Sequence, residues 1–368
     1  MKEDLRLLTT VLSREQRGAT EAQSVLERGA MRLAVIVPCY KVENQIARVI
    51  GLIPDWVACI IAVNDASPDR TGEVLAKLAL QEPRLHVLTH TQNQGVGGAV
   101  VTGFRKALEL SVDFVVKIDG DGQMDPAQMP DLLVPLLDGS ADYAKGNRFR
   151  SVTDIQQMPL TRRLGNVALT FLNKFASGYW HVFDPQNGYV AIPKEWLQRL
   201  SLEYLDKRFF FENSLLVGLN IAGARVADVP MRAVYGDEKS NIRIPRILGG
   251  FPIRLFRAAI HRILIKYLVY DVSPIAVYLL AGGVFLLFGL VFGGYHWLAS
   301  IQSGRAASTG TVMLATLPII LGFEMWLHAL HLDIVQSPRP DRPTRPVRVE
   351  DVPSYFQPDS GSPGDRLG

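Results

Sequence analysis

Between residues 33 and 118, short unbroken apolar runs alternate with stretches of helical spacing. The runs are Leu33-Ala-Val-Ile-Val-Pro-Cys-Tyr40, Cys59-Ile-Ile-Ala-Val-Asn64, Leu85-His-Val-Leu-Thr89 and Phe114-Val-Val-Lys-Ile118. Helical spacing covers Glu43 to Ile53, a segment capped near Ser67 or Asp69 that reaches about Leu80, and a third reaching about Leu110. Runs that are apolar throughout, rather than at every second residue, belong to strands covered on both faces. The pattern therefore predicts an α/β fold with a mainly parallel sheet between helices. Another helix is expected after Pro126. Beyond Ala141 the pattern loosens. Lys145-Gly-Asn-Arg148 reads as a strand end, Arg162 and Arg163 open a helix to about Ala176, and Phe183 to Ile192 is a turn followed by a strand. Phe209-Phe-Phe-Glu212 leads a helix to about Ala222, and Arg225 to Val229 reads as a strand.

Two later stretches are of another kind. Pro274 to Ala299 has no charged residue, and as a helix it would reach about 39 Å at the standard rise, enough to cross a bilayer with tilt. Thr311 to Leu332 contains one acid, Glu324. Only Ser300 to Gly310 separates them, so a transmembrane hairpin is predicted. Lys/Arg residues crowd both flanks: none of residues 239–266 is acidic while seven are basic, and Arg339, Arg342, Arg345 and Arg348 follow the second span. By the positive-inside rule the large domain and the tail are expected in the cytoplasm. Residues 241–270 mix Leu, Ile and Phe with arginines, the look of helices lying in the bilayer interface. Residues 1–30 read as a polar arm, residues 31–240 as the catalytic-type domain, and the Pro/Arg/Ser-rich residues 336–368 as a disordered tail. Gly289-x-x-x-Gly293 is a candidate helix-packing face. Glu324, His328 and His331 share one helix face, suited to the inside of a bundle or a contact with a second copy of the chain, with a metal or proton relay as the alternative.

Composition narrows the class. The net charge of +3 gives no general attraction to nucleic acid. The two cysteines, Cys39 and Cys59, lie inside apolar runs, which excludes a disulfide framework or a cysteine-based zinc site. The first thirty residues lack the apolar core of a signal peptide.

In open sheets, ligands bind outside the carboxyl ends of the strands. Here those ends carry Pro38-Cys-Tyr40, Asn64-Asp65-Ala-Ser67 and Asp119-Gly-Asp121, and the glycine-rich Asn93-Gln-Gly-Val-Gly-Gly-Ala99 turn follows the third strand. Asp119 and Asp121 turn toward one point only if the backbone bends, which Gly120 and Gly122 permit. With Gln123 they form an oxygen cluster of the kind hard divalent cations use; Mg²⁺ takes one or two carboxylates and completes its shell with water and phosphate. A solvated Asp-Gly turn is the simpler alternative. The glycine turn does not fit a dinucleotide fingerprint, since Val100 stands where the third glycine belongs. Gly95 is a candidate nucleotide contact, or a glycine that lets a helix start close to the sheet.

Val37-Pro-Cys-Tyr40, Val63-Asn-Asp-Ala-Ser-Pro-Asp69, Asn93-Gln-Gly, Asp119-Gly-Asp-Gly-Gln-Met-Asp-Pro126, Gly146-Asn-Arg-Phe149 and Tyr235-Gly-Asp-Glu-Lys-Ser240 stand in an order that resembles family 2 glycosyltransferases of GT-A fold. The resemblance is strongest to dolichyl- and polyprenyl-phosphate sugar synthases with two C-terminal membrane helices. It implies transfer of one sugar from a nucleotide-sugar donor to a polyprenyl phosphate, with inversion and with Mg²⁺ or Mn²⁺. It further implies nucleoside contacts at Pro38, Tyr40 and Asp65, a metal and diphosphate site at Asp119, Asp121 and Gln123, and phosphate-binding arginines at Arg148 and Arg162. Arg232, Lys239 and Ser240 would meet the lipid phosphate. Two positions depart from the family pattern. Tyr40-Lys-Val stands where Tyr-Asn-Glu is usual, leaving Glu43 as a candidate substitute carboxylate, and Asn64-Asp65 replaces a paired Asp. Asp184 is a candidate for orienting the sugar or assisting attack, or else an Asp-Pro turn opener; Glu212 is a weaker candidate. A processive polysaccharide synthase is disfavoured, because no Trp follows an Arg as Q-x-x-R-W requires. A silent nucleotide-binding scaffold and a transferase acting on another acceptor are the remaining alternatives.

Overall fold

The computed structural model describes residues 31–148, 160–231 and 244–340, with Thr20 and Gln23. The expected arm (Thr20 and Gln23 apart), Arg232, Lys239, Ser240 and the tail from 341 lie outside the described residues. The strands are β1 (Leu33–Cys39), β2 (Cys59–Asn64), β3 (Leu85–Thr89), β4 (Phe114–Lys117), β5 (Tyr143–Asn147), β6 (Val190–Pro193) and β7 (Val226–Pro230). They form one sheet in the order β3-β2-β1-β4-β6-β5-β7. β1 pairs in parallel with β2 and β4, and β2 with β3, while β6 runs antiparallel to both β4 and β5, and β5 and β7 are parallel. Every strand except β6 therefore points the same way. The mainly parallel sheet is as the apolar runs require; the reversed β6 is an addition to it.

The helices of this part are α1 (Ile46–Gly51), α2 (Thr71–Ala79), α3 (Val96–Glu109), α4 (Met129–Leu137), α5 (Leu160–Ser177), α6 (Lys194–Arg199) and α7 (Phe211–Ile221); α5 packs outside α7. Because side chains alternate along a strand, β1 feeds two cores. Leu33, Val35, Val37 and Cys39 pack with Ile46, Val49, Leu132 and Leu133 of α1 and α4. Ala34 and Ile36 pack with Val100, Phe104, Leu215 and Leu219 of α3 and α7. The same alternation puts Lys117, Lys145 and Asp228 on the α7 side of the sheet, in step with Val115, Tyr143 and Val226.

Three long helices follow: α8 (Ile244–Leu264), α9 (Pro274–Ser303) and α10 (Thr309–Val335), with a π-helical turn at Ile265–Val269 after α8. The stretch expected at the bilayer interface is thus one helix and a π turn. It packs on the globular part through Phe251, Leu255 and Ala259, which meet Ala176 and Phe210. Both α9 and α10 are long and apolar enough to cross a membrane. They touch through small residues. A side chain on Gly282 would meet the Gly322 carbonyl at 2.8 Å, and one on Gly289 the Ala315 carbonyl at 2.7 Å. The Gly289/Gly293 face is therefore used inside the hairpin. Glu324 and His328 form a 3.5 Å pair on its outward face, and both are more than half exposed.

Candidate active site

The common strand direction brings Pro38, Asp65, Asp119 and Arg148 to one rim. The Phe183–Gly188 turn reaches the same rim, because it enters the reversed β6 from its amino end. At β1 and β2 the loops lace together: Lys41 N–H donates to Ser67 Oγ at 2.7 Å, Val42 N–H to Thr71 Oγ1 at 3.1 Å, and Glu43 N–H to Asp69 Oδ2 at 3.3 Å. Glu43 in turn accepts from Arg70 N–H at 2.8 Å. Lys41 and Ala66 both adopt positive φ, 58° and 50°, and strain of this sort at a non-glycine residue persists only where surrounding contacts enforce it. Tyr40 stands 44% exposed above this laced rim, open to a ligand.

Asp65 is buried. Its carboxylate accepts from the Gln94 and Gly95 N–H groups, both at 2.8 Å, and lies 2.7 Å from His90 Nδ1. It fixes the glycine turn to the end of β2. Gly95 has φ +90°, and a side chain there would come within 2.5 Å of the Lys207 carbonyl. Glycine is thus required at Gly95 by backbone geometry and by close approach of the Asp206–Arg208 loop.

Asp119 and Asp121 leave β4 through a glycine bend. Gly120 lies against the Pro38 carbonyl, which a side chain would reach at 3.0 Å, and Gly122 has φ +78°. Asp121 Oδ1 accepts from Gln123 N–H at 3.0 Å, closing a local turn. Lys117, 1% exposed, holds Asp119 Oδ1 at 2.7 Å and Glu212 Oε1 at 3.5 Å. Burial depresses the Lys117 ammonium, but the charges of Asp119 and Glu212 outweigh it and hold its pKa above the ordinary value. Gly188 packs onto this pair: a side chain there would sit 2.8 Å from Asp119 Oδ2. Among the described residues no three His, Cys, Asp or Glu side chains are gathered as a complete metal site. Two carboxylates beside a polar turn fit a cation whose shell is completed by phosphate oxygens and water.

At the other end of the Phe183–Gly188 turn, Arg148 grips Asp184 with two bonds, Nε to Oδ2 at 2.8 Å and Nη2 to Oδ1 at 3.2 Å. Asp184 is buried while the Arg148 side chain is 43% exposed. Behind them lies a polar layer. Lys145 donates to the Asn187 carbonyl, and Asp228 accepts from Asn147 Nδ2 at 2.8 Å and from Phe183 N–H at 3.2 Å. Burial lowers the Lys145 pKa to about 8, against the attraction of Asp184 and Glu212. Burial raises that of Asp228 to about 6, against its hydrogen bonds and Lys145. Lys117, Lys145 and Asp228 were not among the sequence-predicted site residues. The signal was a Lys inside each of two buried strands and an Asp inside a third. Arg162 lies in the first half of α5, where only the backbone is described.

The sheet is mixed, reversed at β6 alone, and acids stand at the end of its central strand, β4, which is a GT-A-like arrangement. Residues 34–201 match the sequence family described as Glycosyl transferase family 2. The UDP-N-acetylglucosamine–dolichyl-phosphate N-acetylglucosaminyltransferase of Methanococcus voltae is 31% identical over 232 residues, 60% of this chain and 92% of that protein. The undecaprenyl-phosphate mannosyltransferase of Micrococcus luteus is 30% identical over 207 residues, 55% of this chain and 84% of that protein. Glucosyl-3-phosphoglycerate synthase of Mycobacterium tuberculosis, solved with uridine diphosphate, superimposes with a TM-score of 0.48 at 21% identity, covering 64% of this chain and 82% of that one. The chain belongs to glycosyl transferase family 2.

Proposed function

We propose that this protein is a membrane-bound inverting glycosyltransferase. It moves one sugar from a UDP- or GDP-linked donor to a polyprenyl phosphate at the cytoplasmic face of a bilayer. The observation that carries this reading is the meeting, on one rim, of the Asp119/Asp121 pair and the Arg148–Asp184 fork, in a domain tied through α8 and the end of α10 to two long apolar helices. The names of the relatives, which use dolichyl or undecaprenyl phosphate, support the acceptor class.

Tyr40 and Pro38 would border the nucleoside, with Glu43 near them, while Asp65 and Gly95 shape the loop beneath. Asp119, Asp121 and Gln123 would hold Mg²⁺ or Mn²⁺, which when bound supplies positive charge to the leaving diphosphate. The acceptor phosphate is already an anion at neutral pH, so no base has to remove a proton. Its oxygen bonds to the anomeric carbon as the bond from that carbon to the nucleoside diphosphate breaks, and the electron pair leaves with the diphosphate. Displacement from the opposite face inverts the centre. What the protein must do is bring two anions together, a task for guanidinium and ammonium groups. Arg148, aimed by Asp184, and Arg162, Arg232, Lys239 and Ser240 are assigned to that role. Asp184 acts through Arg148 in this scheme, with Glu212 steadying Lys117 behind Asp119.

The lipid acceptor explains the anchor. The exposed face of α8 carries Ile253, Phe256, Ile260 and Leu264, with Arg254 and Arg257 beside it, and would lie in the headgroup region. A charge on a lipid-facing helix centre costs about 3 kcal/mol, so a second copy covering Glu324 and His328 belongs to the same proposal. The test is a panel of UDP- and GDP-sugars offered with undecaprenyl phosphate in detergent, followed by mass spectrometry. A lipid-linked monosaccharide phosphate from one donor is expected. Nucleoside diphosphate binding without product from any donor would favour a silent scaffold instead.

A further inference from the structure

Arg262 is wholly buried, and its guanidinium joins three elements. Nη1 and Nη2 reach Asp333 Oδ1 and Oδ2 at 2.7 and 3.0 Å, near the end of α10. Nε and Nη2 also donate to the Ala176 and Phe175 carbonyls at 3.1 and 3.0 Å, in the last turn of α5, where unpaired helix carbonyls favour a cation. Gly178, φ +73°, follows that helix end, and a side chain there would come within 2.6 Å of Arg262 Nη1. The arginine fills the slot this glycine leaves.

Asp333 takes two further donors, Tyr267 Oη at 2.6 Å and Trp180 Nε1 at 3.3 Å. On a regular α-helix, positions five apart such as 262 and 267 point about 140° apart. The π turn at Ile265–Val269 is what lets Arg262 and Tyr267 converge on one carboxylate. Ser337 Oγ adds a bond to the Gly178 carbonyl at 2.7 Å.

Trp180 stands in the segment that continues into the Phe183–Gly188 turn. That segment is pinned by Asp333 at its start, by Arg148 at Asp184, and against Asp119 at Gly188. We propose that the Arg262–Asp333 pair is a positioning device: it locks the turn bearing Asp184 and Gly188 to the second apolar helix, and so sets the height of the catalytic rim above the bilayer. This rests on the proposed reading of the hairpin as membrane-spanning and of the acceptor as a lipid phosphate. A buried ion pair contributes little net stability over an apolar pair of equal size, whereas removing one partner leaves a buried charge. What the pair adds is a defined geometry.

The test uses the full chain in lipid nanodiscs, with Arg262→Met, Asp333→Asn and the double variant Arg262→Met/Asp333→Leu. Each single variant is expected to melt lower, and the double to recover most of that loss. Spin labels placed by Tyr204→Cys and Val284→Cys report domain-to-hairpin distance; Cys39 and Cys59 are buried and stay unlabelled. In the double variant the distance distribution should broaden and KM for undecaprenyl phosphate should rise at least fivefold, with nucleoside diphosphate affinity within twofold of wild type. Trp180→Phe, which removes one donor to Asp333, should give a milder form of both changes, and decides the matter if the double variant does not fold. A distribution as narrow as wild type, or a broadened one with unchanged KM, overturns the proposal. Absence of transfer by the wild-type protein would sink the proposed function alone, since the spin-label distances still decide the docking.

Discussion

Lys117 shows what one residue does here: a single ammonium, sealed from water, fixes both Asp119 and Glu212. Replacing it with Met leaves two carboxylates facing each other without their counterion. Since Asp119 stays partly open to water, Lys117→Met should cost about 3 kcal/mol, the low end for breaking a buried pair, read by denaturant titration in detergent. An unchanged midpoint would deny the bridge. Asp228 gives a second test. Its pKa is raised from the model-peptide value of 3.8 to about 6, so between those values the folded state binds the proton more tightly than the unfolded one. Stability from this group is therefore present below about pH 4 and lost as pH rises through 6. Asp228→Asn should flatten that decline, and thermal melting across the interval reads it. Lys145, lowered to about 8, works in another window: its folded form sheds the proton first, so stability should rise from pH 8 toward 10.5. Lys145→Met should remove that rise. At this scale the sequence made Asp119 and Asp121 visible through their glycine spacing. It concealed the buried charges, because an ammonium in a strand reads as a rim residue until its facing helix is known.

At the level of elements, the strands were legible because a strand buried on both faces has to be apolar throughout. Direction was not: Val190-Ala-Ile-Pro193 is too short to show that it runs against its neighbours. The two long apolar helices were legible by length and apolarity, but α9 and α10 continue through polar ends such as Ser300 to Ser303. Asp333 lay just past the apolar window, and so its partnership with Arg262 could not be seen. Helix α8 shows a further limit. Its periodicity is that of an amphipathic helix, yet it has two apolar stripes, one against α5 and α7 and one exposed. Truncation near residue 240 would strip the first as well as the second, so point changes make the cleaner test. Phe256→Trp should emit at shorter wavelength than an exposed indole and be quenched by brominated lipid in nanodiscs, as a difference from wild type. Water-like emission without quenching would contradict an interfacial α8.

On the proposed reading the whole molecule is a donor site and a lipid anchor built as one piece. On that reading the hairpin is locked beneath the rim through Arg262 and Asp333, with α8 between them. Sugar transfer to a lipid phosphate, with the acids after β4 holding the cation it needs, is the proposed activity. It is tested most directly by following sugar transfer to undecaprenyl phosphate in proteoliposomes holding either wild type or Asp121→Ala. Wild type should form lipid-linked sugar in a reaction that a divalent-cation chelator stops, and Asp121→Ala should lose more than a hundredfold in rate while remaining folded and membrane-inserted. Transfer by Asp121→Ala at the wild-type rate would contradict the account.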